Sequence, residues 1–383
     1  MRVCYFGTYR ASYSRNQIVI EGLRRSGVEV VECHQRLWHG IKDRVDVASG
    51  GWRRIGFPFR LLRTYWRLLQ AYRQVGEYDV MVLGYPGQLD VLLAWLLTRL
   101  RRKPLVLDVF MSIYLIAEER GLTQQHRFTA RLIYEIERLA CRLPDRLVLD
   151  TEEYVRWFQD RYGVDADRFR LVPTGADDRV FRPVEPPHRD ADCFRLLYYG
   201  TFIRNHGLEQ VVRAAALLRE HTDVVFELVG DGPERSRIEA LACELGADNV
   251  QFGGWVEKSE LPARAAAADV CLGAFGLTPQ SLHTVQNKIY EGLAMRRPVL
   301  TGDSPTVRAA LVHGRHVYLV PRGDPEALAE AVLVLKGDPD LRRKLAEEGY
   351  RLYRQQYTPT ALGERLRKYL QDMVPEPSML GES

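Results

Sequence analysis

The sequence predicts an α/β protein built from two Rossmann-like, doubly wound domains that face each other across a cleft. Three observations support this prediction. With 383 residues, the chain is too long for one typical core and fits two domains of ordinary size. Short apolar runs alternate with segments of helical period, which is typical of parallel sheets covered by helices. A proline-rich segment near residue 184 separates two halves that share this pattern.

Twelve short apolar runs are candidate strands, six in each half. Turn or polar residues bound the runs, and most are too short to form a helix. The candidates are Val3–Phe6, Val28–Val31, Asp79–Leu83, Pro104–Leu107, Arg146–Leu149 and Phe169–Val172, then Arg195–Tyr199, Val224–Val229, Val250–Phe252, Val270–Leu272, Val299–Thr301 and Val317–Val320. Six strands are enough for a complete doubly wound sheet in each half.

These strands and the linker predict the division into domains. Arg182–Asp190 contains three prolines with polar neighbours, and we expect it to be stiff. After Pro325 two amphipathic helices run to about Gln356, and a last helix follows. The predicted segments are a domain over residues 1–183, a linker over 184–190, a domain over 191–357, a crossover helix over 358–372 and a disordered tail over 373–383.

Composition excludes several classes of protein. A hydrophobic content of 46% is that of a globular protein, and a net charge of +4 is too small to indicate a nucleic-acid partner. The six cysteines form no C-x-x-C pair and no histidines cluster at metal-ligand spacing, which favours reduced thiols and no metal site. The start MRVCYFG lacks the features of a signal peptide, so we expect a cytoplasmic protein.

One segment of the first half indicates a membrane surface. Val47–Gly76 contains arginines and no acidic residue, and it includes the basic stretch that we assign from Arg53 to Arg73. On a helix that begins near Pro58, Arg60, Arg63 and Arg67 form one stripe, and an apolar stripe of Leu61, Leu62, Tyr65, Leu68, Leu69 and Tyr72 lies opposite. Such a helix suits anionic lipid headgroups, although a solvated arginine face on an ordinary core-facing helix gives the same pattern. The longest apolar run, Val91–Leu97, is too short to cross a bilayer.

Polar side chains follow several strands of the first half, where ligands of open α/β sheets bind. Gly7 and Thr8 follow the first strand, and Arg15 and Asn16 come soon after; Arg15 either reaches an anionic ligand or lies solvated in a loop. Asp108 should open into the cleft, where it could hold or deprotonate an acceptor hydroxyl, or it caps the next helix. For Asp150 and Thr151 we favour the cap.

The second half opens with the same strand-and-turn pattern. The run YYGTFIRNHGL places Gly200 and Thr201 after a strand and Arg204 just before a helix. A helix N-terminus and an arginine are both suited to phosphate. Gly230 begins another strand-to-helix turn, and Gly254 and Trp255 end a strand where backbone could approach a flat ring. Together these turns are what a nucleotide pocket requires, although each could be structural only.

The stretch from Leu277 to Thr301 carries the sharpest prediction. A helix should begin near Asn287, because asparagine is a favoured N-cap and the residues that follow have helical period. Lys288 and Glu291 are three residues apart and therefore share a face, where a cation suits phosphate and a carboxylate suits ribose hydroxyls. The alternative is a surface ion pair on an ordinary helix.

Several segments resemble the family 4 retaining glycosyltransferases of GT-B fold. They are VCYFGTY, VPTGAD, YYGTFIRNHGLEQVVRAA, LVGDGPE, VQFGGWV and NKIYEGLAMRRPVLTGDSP, and the resemblance covers nearly the whole chain. It implies that Glu291 binds the donor ribose, that Arg204 and Lys288 contact the donor diphosphate, and that the last helix crosses back to the first domain. It also implies transfer with retention, in which the leaving phosphate takes the acceptor proton and no metal or other cofactor is needed.

Two departures from the family pattern concern the donor site. His283 stands where the family has a second glutamate, at the donor sugar, and Thr201 and His206 replace the usual arginine and lysine. The pairing of GTFIRNHG with NKIYE resembles a subgroup associated with bacterial surface polysaccharides and glycolipids.

The function that follows is transfer of a sugar from a nucleotide-diphosphate donor to a hydroxyl of an acceptor. The expected partners are a nucleotide sugar, a glycan or a polyprenyl- or lipid-linked acceptor, and an anionic membrane surface on which the protein is peripheral, with no nucleic acid. The alternatives are a nucleotide-sugar 2-epimerase and a catalytically silent binding scaffold. A nicotinamide enzyme fits less well, because GTYRAS replaces a G-x-G-x-x-G turn.

Overall fold

A computed structural model describes residues 1–37, 56–186 and 193–374. They form two compact units. Unit 1 comprises Met1–Pro173 and the described residues from Pro359 onward, and unit 2 comprises Thr174–Thr358. The predicted boundary at residue 183 is too late, because Ala176 and Phe181 already lie in the second hydrophobic core. The predicted linker 184–190 and tail 373–383 lie partly outside the described residues.

The described residues contain the twelve predicted strands, with ends that differ by at most three residues. They are β1 Arg2–Gly7, β2 Glu29–His34, β3 Val80–Leu83, β4 Leu105–Asp108, β5 Arg146–Leu149, β6 Phe169–Leu171, β7 Phe194–Tyr199, β8 Val224–Val229, β9 Val250–Gly253, β10 Val270–Leu272, β11 Val299–Gly302 and β12 Tyr318–Val320. Strands that are buried on both faces read as continuous apolar runs, which explains this agreement.

Helices connect the strands. Those of unit 1 are α1 Ser14–Arg25, α2 Gly56–Tyr72, α3 Val91–Arg101, α4 Ile113–Glu119, α5 Leu122–Gln125, α6 Arg127–Arg142 and α7 Glu152–Tyr162. Those of unit 2 are α8 Leu208–Leu217, α9 Arg235–Glu244, α10 Leu261–Ala267, α11 Pro279–His283, α12 Asn287–Ala294, α13 Pro305–Ala310, α14 Pro325–Gly337 and α15 Pro339–Gln356. The last helix, α16 Pro359–Gln371, belongs to unit 1.

The sheet of unit 1 is parallel, with strand order β2-β1-β3-β4-β5-β6. Side chains of α2, α3, α6 and α7 share one hydrophobic core with it, and those of α1 and α16 share the other. Gly22 of α1 and Gly363 of α16 let these two helices meet closely, since a Cβ on Gly22 would lie 2.3 Å from the Pro359 carbonyl oxygen. The predicted return of the last helix to the first unit is confirmed.

The sheet of unit 2 is also parallel, with strand order β12-β11-β10-β7-β8-β9. Helices α8, α9 and α14 contribute to one core, and α10 and α12 contribute to the other. In both sheets the strand order reverses beside the first strand, between β1 and β3 and between β7 and β10. Open α/β sheets bind ligands at the carboxyl ends of strands flanking such a reversal.

Helix α2 corrects one sequence prediction. The basic helix exists, but Leu62, which we placed on its buried stripe, is 70% exposed and lies beside Arg63. Leu68 and Tyr72 hold the inner face instead, with a register that leaves Leu62 outside. Arg53 and Arg54 lie outside the described residues. No helix in the described part of the chain is long and apolar enough to cross a membrane.

Candidate functional site

The turn after β7 is built from glycine backbone. Gly200 has a φ of 134°, a region that favours glycine, and its carbonyl packs against the next turn at Gly230. A Cβ on Gly230 would lie 1.9 Å from the Gly200 oxygen, so no side chain fits there. The backbone N–H of Thr201 has no hydrogen-bond acceptor among the described residues. This turn therefore offers an unused donor at the reversal point of the sheet.

Lys288 lies beside this turn, in the first turn of α12. Its side chain is buried, with 6% of its surface exposed, and its Nζ lies 4.8 Å from the centre of the Tyr198 ring. A Cβ on Gly200 would be 3.7 Å from Nζ. Within the described residues the side chain of Lys288 forms no hydrogen bond and no ion pair. Burial lowers its pKa to about 7, and Glu291 opposes that shift.

A buried hydrogen-bond network supports the turn. The Nδ1 of His206 lies 2.7 Å from the Tyr198 hydroxyl and 2.8 Å from the Thr201 carbonyl oxygen, and the Tyr198 hydroxyl also donates to that carbonyl at 3.0 Å. Burial and the nearby Lys288 charge hold the pKa of His206 well below its usual value. His206 is therefore a neutral hydrogen-bonding group that fixes Thr201, and it leaves Lys288 as the cation of the turn.

Glu291 follows one helical turn after Lys288. It is buried, and burial raises its pKa, against the influence of Lys258, the Tyr199 hydroxyl and Lys288. Since Lys288 and Glu291 are both buried, they are not a surface ion pair, and that alternative is wrong.

The start of α12 differs slightly from the prediction. Asn287 is the first helical residue, and Gln286 is the N-cap because its backbone is still extended. The Gln286 side chain does not cap the helix but donates to the Ser281 carbonyl at 3.0 Å.

Arg204 lies between the Gly200–Thr201 turn and α8. It is exposed in a short 3-10 turn before α8, and it forms no ion pair within the described residues. Arg204 borders a cavity of about 430 Å³ that Gly207, Glu234, Arg237 and Phe275–Thr278 also line, and Lys288 is not among its lining residues. The predicted action of Arg204 and Lys288 on one diphosphate stays a prediction.

The remaining predicted residues of unit 2 lie in loops at the ends of strands and helices. Gly254 follows β9, and Trp255 beside it is 66% exposed. His283 ends α11 and is half-buried. Their roles toward a base or a sugar stay predictions.

Sequence analysis missed Arg322, which follows β12. Its guanidinium donates to the Asp303 and Gly276 carbonyls at 2.8 Å each and to the Ser281 hydroxyl at 2.9 Å, while its Nη2 has no partner in the described structure. Burial lowers its pKa to about 10, and Asp303 opposes that shift. Arg322 thus ties the loops after β10 and β11 to the short helix α11 at the carboxyl edge of the sheet. Its position two residues after a strand was the available signal.

In unit 1 the turn after β1 is occupied by the protein itself. The Thr8 backbone N–H donates to the Asp90 carboxylate at 2.6 Å, and the Thr8 hydroxyl lies 3.1 Å from both oxygens of that group. A Cβ on Gly7 would lie 2.6 Å from Asp90 Oδ2. Burial raises the pKa of Asp90 to about 6, against the hydrogen bonds from Thr8. The predicted ligand turn of Gly7 and Thr8 therefore already holds an anion.

Arg15 and Asp108 form a closed pair. Arg15 Nε and Nη2 donate to the two oxygens of Asp108 at 2.8 and 3.0 Å, and Nη1 donates to the carbonyls of Val172 and Pro173. Both side chains are buried. Two expectations are corrected: Arg15 is not a solvated loop residue, and the Asp108 carboxylate does not open to ligand but faces Arg15. The physical reason is that a buried carboxylate at this edge needs a cation.

Thr151 caps α7 by accepting from the Tyr154 N–H, as predicted. Asp150 does not cap with its side chain, and burial raises its pKa to about 7. Residues 1–37, 56–186 and 193–374 contain no group of three or more His, Cys, Asp or Glu side chains placed to hold a metal ion.

Family models cover both units. Residues 15–175 match a model described as a glycosyl transferase 4-like domain, and residues 193–338 match a model described as glycosyl transferases group 1. With two parallel doubly wound sheets, each carrying its turns at the reversal point, the fold and these matches define a glycosyltransferase of GT-B fold. The chain belongs to the group 1, family 4 glycosyltransferases.

Individual relatives agree with this family. The chain is 27% identical over 283 residues to alpha-D-kanosaminyltransferase of Streptomyces kanamyceticus, which is 71% of each chain. It is 25% identical over 369 residues to the lipopolysaccharide core biosynthesis glycosyltransferase LpsD of Rhizobium meliloti, which is 94% of each chain.

Solved structures share the fold. Sucrose-phosphate synthase from Thermosynechococcus elongatus gives a TM-score of 0.73 at 19% identity, over 97% of this chain and 98% of that one. Anabaena HepE in complex with UDP-glucose gives 0.68 at 15% identity, over 97% of this chain and 100% of that one.

Proposed function

We propose that this glycosyltransferase takes its sugar from a nucleotide-diphosphate donor whose diphosphate binds at the Gly200–Thr201 turn beside Lys288. One observation carries the proposal: Lys288 is buried with no carboxylate within ion-pair distance among the described residues, and it lies next to an unused backbone N–H. Burying an unpaired charge costs free energy. A bound diphosphate supplies the missing negative charge and accepts from both donors.

This arrangement fits the chemistry of sugar transfer. Breaking the anomeric C–O bond builds negative charge on the departing β-phosphate. The Lys288 ammonium, the Thr201 N–H and the N-terminus of α12 stabilise that charge with fixed groups. The resemblance to family 4 implies that the acceptor hydroxyl attacks on the same face that the phosphate leaves, so the proposed reaction retains the anomeric configuration, with the leaving phosphate accepting the proton of the acceptor hydroxyl. The proposed reaction needs no metal.

Glu291 is proposed to bind the donor ribose. Its carboxylate, one helical turn from Lys288, accepts hydrogen bonds from vicinal hydroxyl groups when ionised. The ammonium nearby favours that ionised form. A UDP-sugar is the first donor to test, because HepE was solved with UDP-glucose.

The proposed acceptor is a hydroxyl of a glycan, carried free or on a lipid. LpsD is described as an enzyme of lipopolysaccharide core biosynthesis, and its similarity extends over 94% of each chain. The exposed arginines of α2 support contact with an anionic membrane from the inner, cytoplasmic side. Such a surface would bring the enzyme to a lipid-linked acceptor.

A thermal-shift screen tests the donor proposal. UDP, GDP, ADP and CMP are added in excess, and a ligand that binds the folded protein raises the melting temperature. We expect a shift with one nucleoside diphosphate that Lys288→Ala abolishes and that Lys344→Ala, a change at an exposed lysine of unit 2, retains. No shift with any nucleotide, or an equal shift in Lys288→Ala, would contradict the proposal.

Turnover with the matching sugar donor separates the remaining alternatives. A new glycoside whose anomeric proton coupling matches that of the donor supports retaining transfer, and product formation in the presence of EDTA supports the absence of a metal. An epimerised donor would indicate a 2-epimerase, and binding without turnover would indicate a silent scaffold.

A further inference from the structure

Two neighbouring helices of unit 1 carry large apolar side chains on their outer faces. On α2 these are Phe59, Leu62 and Trp66, and on α3 they are Leu92, Leu96 and Leu100. All six are between 48% and 82% exposed. Single exposed apolar residues are ordinary, but six of them on the outer faces of two neighbouring helices indicate a binding surface.

The spacing arranges each set of three as a ridge. Residues three and four positions apart lie above one another on a helix, so Leu92, Leu96 and Leu100 form one line along α3, and Phe59, Leu62 and Trp66 form another along α2. The opposite faces bind the helices to the sheet through other residues, which are Leu68 and Tyr72 on α2 and Val91 and Ala94 on α3. The ridges are therefore additional to what the fold needs.

The two ridges belong to one layer. The Tyr65 hydroxyl of α2 donates to the Leu89 carbonyl just before α3, at 2.8 Å. At the other end, Arg101 of α3 lies over the Tyr72 ring of α2 at 4.6 Å. The start of α3 thus meets the middle of α2, and its end meets the end of α2, so the helices run side by side in the same direction.

The charges around the ridges are positive. Arg63 and Arg67 lie on the exposed face of α2, and Arg102 and Lys103 follow α3. None of the four forms an ion pair within the described residues. The segments 56–76 and 91–104 contain no acidic residue at all. The surface is therefore apolar along its ridges and cationic beside them.

We infer that the leucine ridge of α3 and the aromatic ridge of α2 together dock on an anionic lipid surface. The apolar side chains enter the boundary between headgroups and acyl chains, and the arginines contact lipid phosphates. The inference extends the proposed function, on which it rests, from contact through the arginines of α2 to insertion of two helices. Like charges disfavour a second copy of the chain on this face, and a nucleic acid leaves the apolar ridges in water.

Vesicle co-sedimentation of the full chain tests this inference. The probes are phosphatidylcholine vesicles with and without phosphatidylglycerol, at low and at high salt. We expect the wild type to bind the phosphatidylglycerol vesicles, and the combined change Leu92→Gln, Leu96→Gln and Leu100→Gln to weaken binding at least about tenfold at both salt concentrations. The change Phe59→Gln with Trp66→Gln repeats the test on the other ridge. Arg63→Gln with Arg67→Gln should weaken binding by about thirtyfold, and only at low salt.

The matched control is Leu217→Gln in unit 2. Leu217 is 52% exposed, as Leu92 is 53% exposed, so the same change at the same exposure should leave vesicle binding as in the wild type. The inference is overturned if wild type ignores the anionic vesicles or if both ridge variants bind like wild type. A wild-type dimer in sedimentation velocity that the leucine variant disperses would also overturn it, in favour of a second copy.

The same variants keep this test separate from the donor proposal. We expect the leucine variant to retain the thermal shift with a nucleoside diphosphate, because its changes lie in unit 1. Vesicle binding without any nucleotide shift would support the docking surface and count against the proposed donor site. A thermal shift with a nucleotide but no vesicle binding would support the proposed donor site and count against the docking surface.

Discussion

The first strand of each unit ends in a similar glycine turn, but the two turns lie beside side chains of opposite charge. Strand β1 leads into Gly7 and Thr8, and β7 leads into Gly200 and Thr201, with φ angles of 129° and 134° at the two glycines. In unit 1, β3 lies beside β1 across the reversal of strand order. It leads to α3, and Asp90 lies just before the first residue of that helix. In unit 2 the corresponding strand is β10. It leads through the short helix α11 to α12, which carries Lys288 in its first turn.

This difference in charge decides what the turn can do. In unit 1 the Asp90 carboxylate accepts from the Thr8 N–H and fills the place of an anionic ligand. In unit 2 no carboxylate of the described residues forms an ion pair with Lys288 or accepts from the Thr201 N–H. The shared fold supplies the turn in both units, and we propose that one side chain determines whether the turn is closed, as in unit 1, or open to a phosphate, as in unit 2.

The cations of the two units show the same contrast. Arg15 is fully buried, and Asp108 and two backbone carbonyls engage its guanidinium. Burial alone would lower the pKa of Arg15, but the Asp108 carboxylate raises it. Lys288 is nearly as buried, and its pKa falls instead to about 7. Arg15 is thus paired within the scaffold, whereas Lys288 forms no ion pair among the described residues, as the proposed role toward a ligand requires.

The largest expected effect is on the closed pair of unit 1. Asp108→Asn leaves the buried Arg15 charge uncompensated, which should lower the free energy of unfolding by about 3–5 kcal/mol. Urea unfolding measures the loss. Asp340→Asn, at an exposed ion pair with Arg343, is the control and should change little. Equal stability of the Asp108 variant and the control would show that the pair is not a structural element.

A smaller loss is expected at the closed turn. Asp90→Ala leaves the buried Thr8 N–H without an acceptor, and such a group costs about 1–3 kcal/mol. Urea unfolding should show this loss, while calorimetric binding of a nucleoside diphosphate stays unchanged. Weaker nucleotide binding in this variant would break the comparison, because it would give the turn of unit 1 a part in the donor site.

The open turn should make donor binding depend on pH. A diphosphate favours the charged form of Lys288, so above about pH 7 binding takes up a proton, and the affinity should fall by up to about tenfold per pH unit. Calorimetry in buffers of different ionisation enthalpy measures the uptake. Lys288→Arg stays charged and should lose this dependence. An equal pH dependence in that variant would assign the proton to another group.

The lowered pKa of Lys288 also makes the stability of the fold depend on pH. The pKa of Lys288 is about 7 in the folded chain, whereas the ordinary lysine value of 10.5 applies to the unfolded chain. Between these two pH values the unfolded chain therefore binds more protons at Lys288 than the folded chain does. The contribution of Lys288 to the free energy of unfolding therefore rises with pH across this window. Lys288→Met should remove that contribution.

Much of the fold could be predicted from the sequence, because buried parallel strands are apolar runs bounded by turn residues. Lys288 and Glu291 could also be found, since their spacing puts them on one face of a helix. The pairing of Thr8 with Asp90 could not, because the two residues lie 82 positions apart and meet only in the folded sheet. Arg15 and Asp108, 93 positions apart, were missed as a pair for the same reason.

The outer face of α2 shows a different limit. Helical period correctly indicated two faces, but it placed Leu62 inside. A period fixes which residues share a face and leaves the rotation of the helix against the sheet uncertain by about one residue. The contacts of Leu68 and Tyr72 with the core decide that rotation, and no local pattern contains them.

The most direct test of the central claim is to measure stability and nucleotide affinity together in Lys288→Met. Methionine keeps the length of the side chain and removes an unpaired buried charge, so the variant should unfold at higher urea than wild type. It should also bind the nucleoside diphosphate at least about tenfold more weakly, because a charged hydrogen bond is lost. Unchanged nucleotide affinity, or a variant that is less stable than wild type, would contradict the claim that Lys288 is kept unpaired for a phosphate.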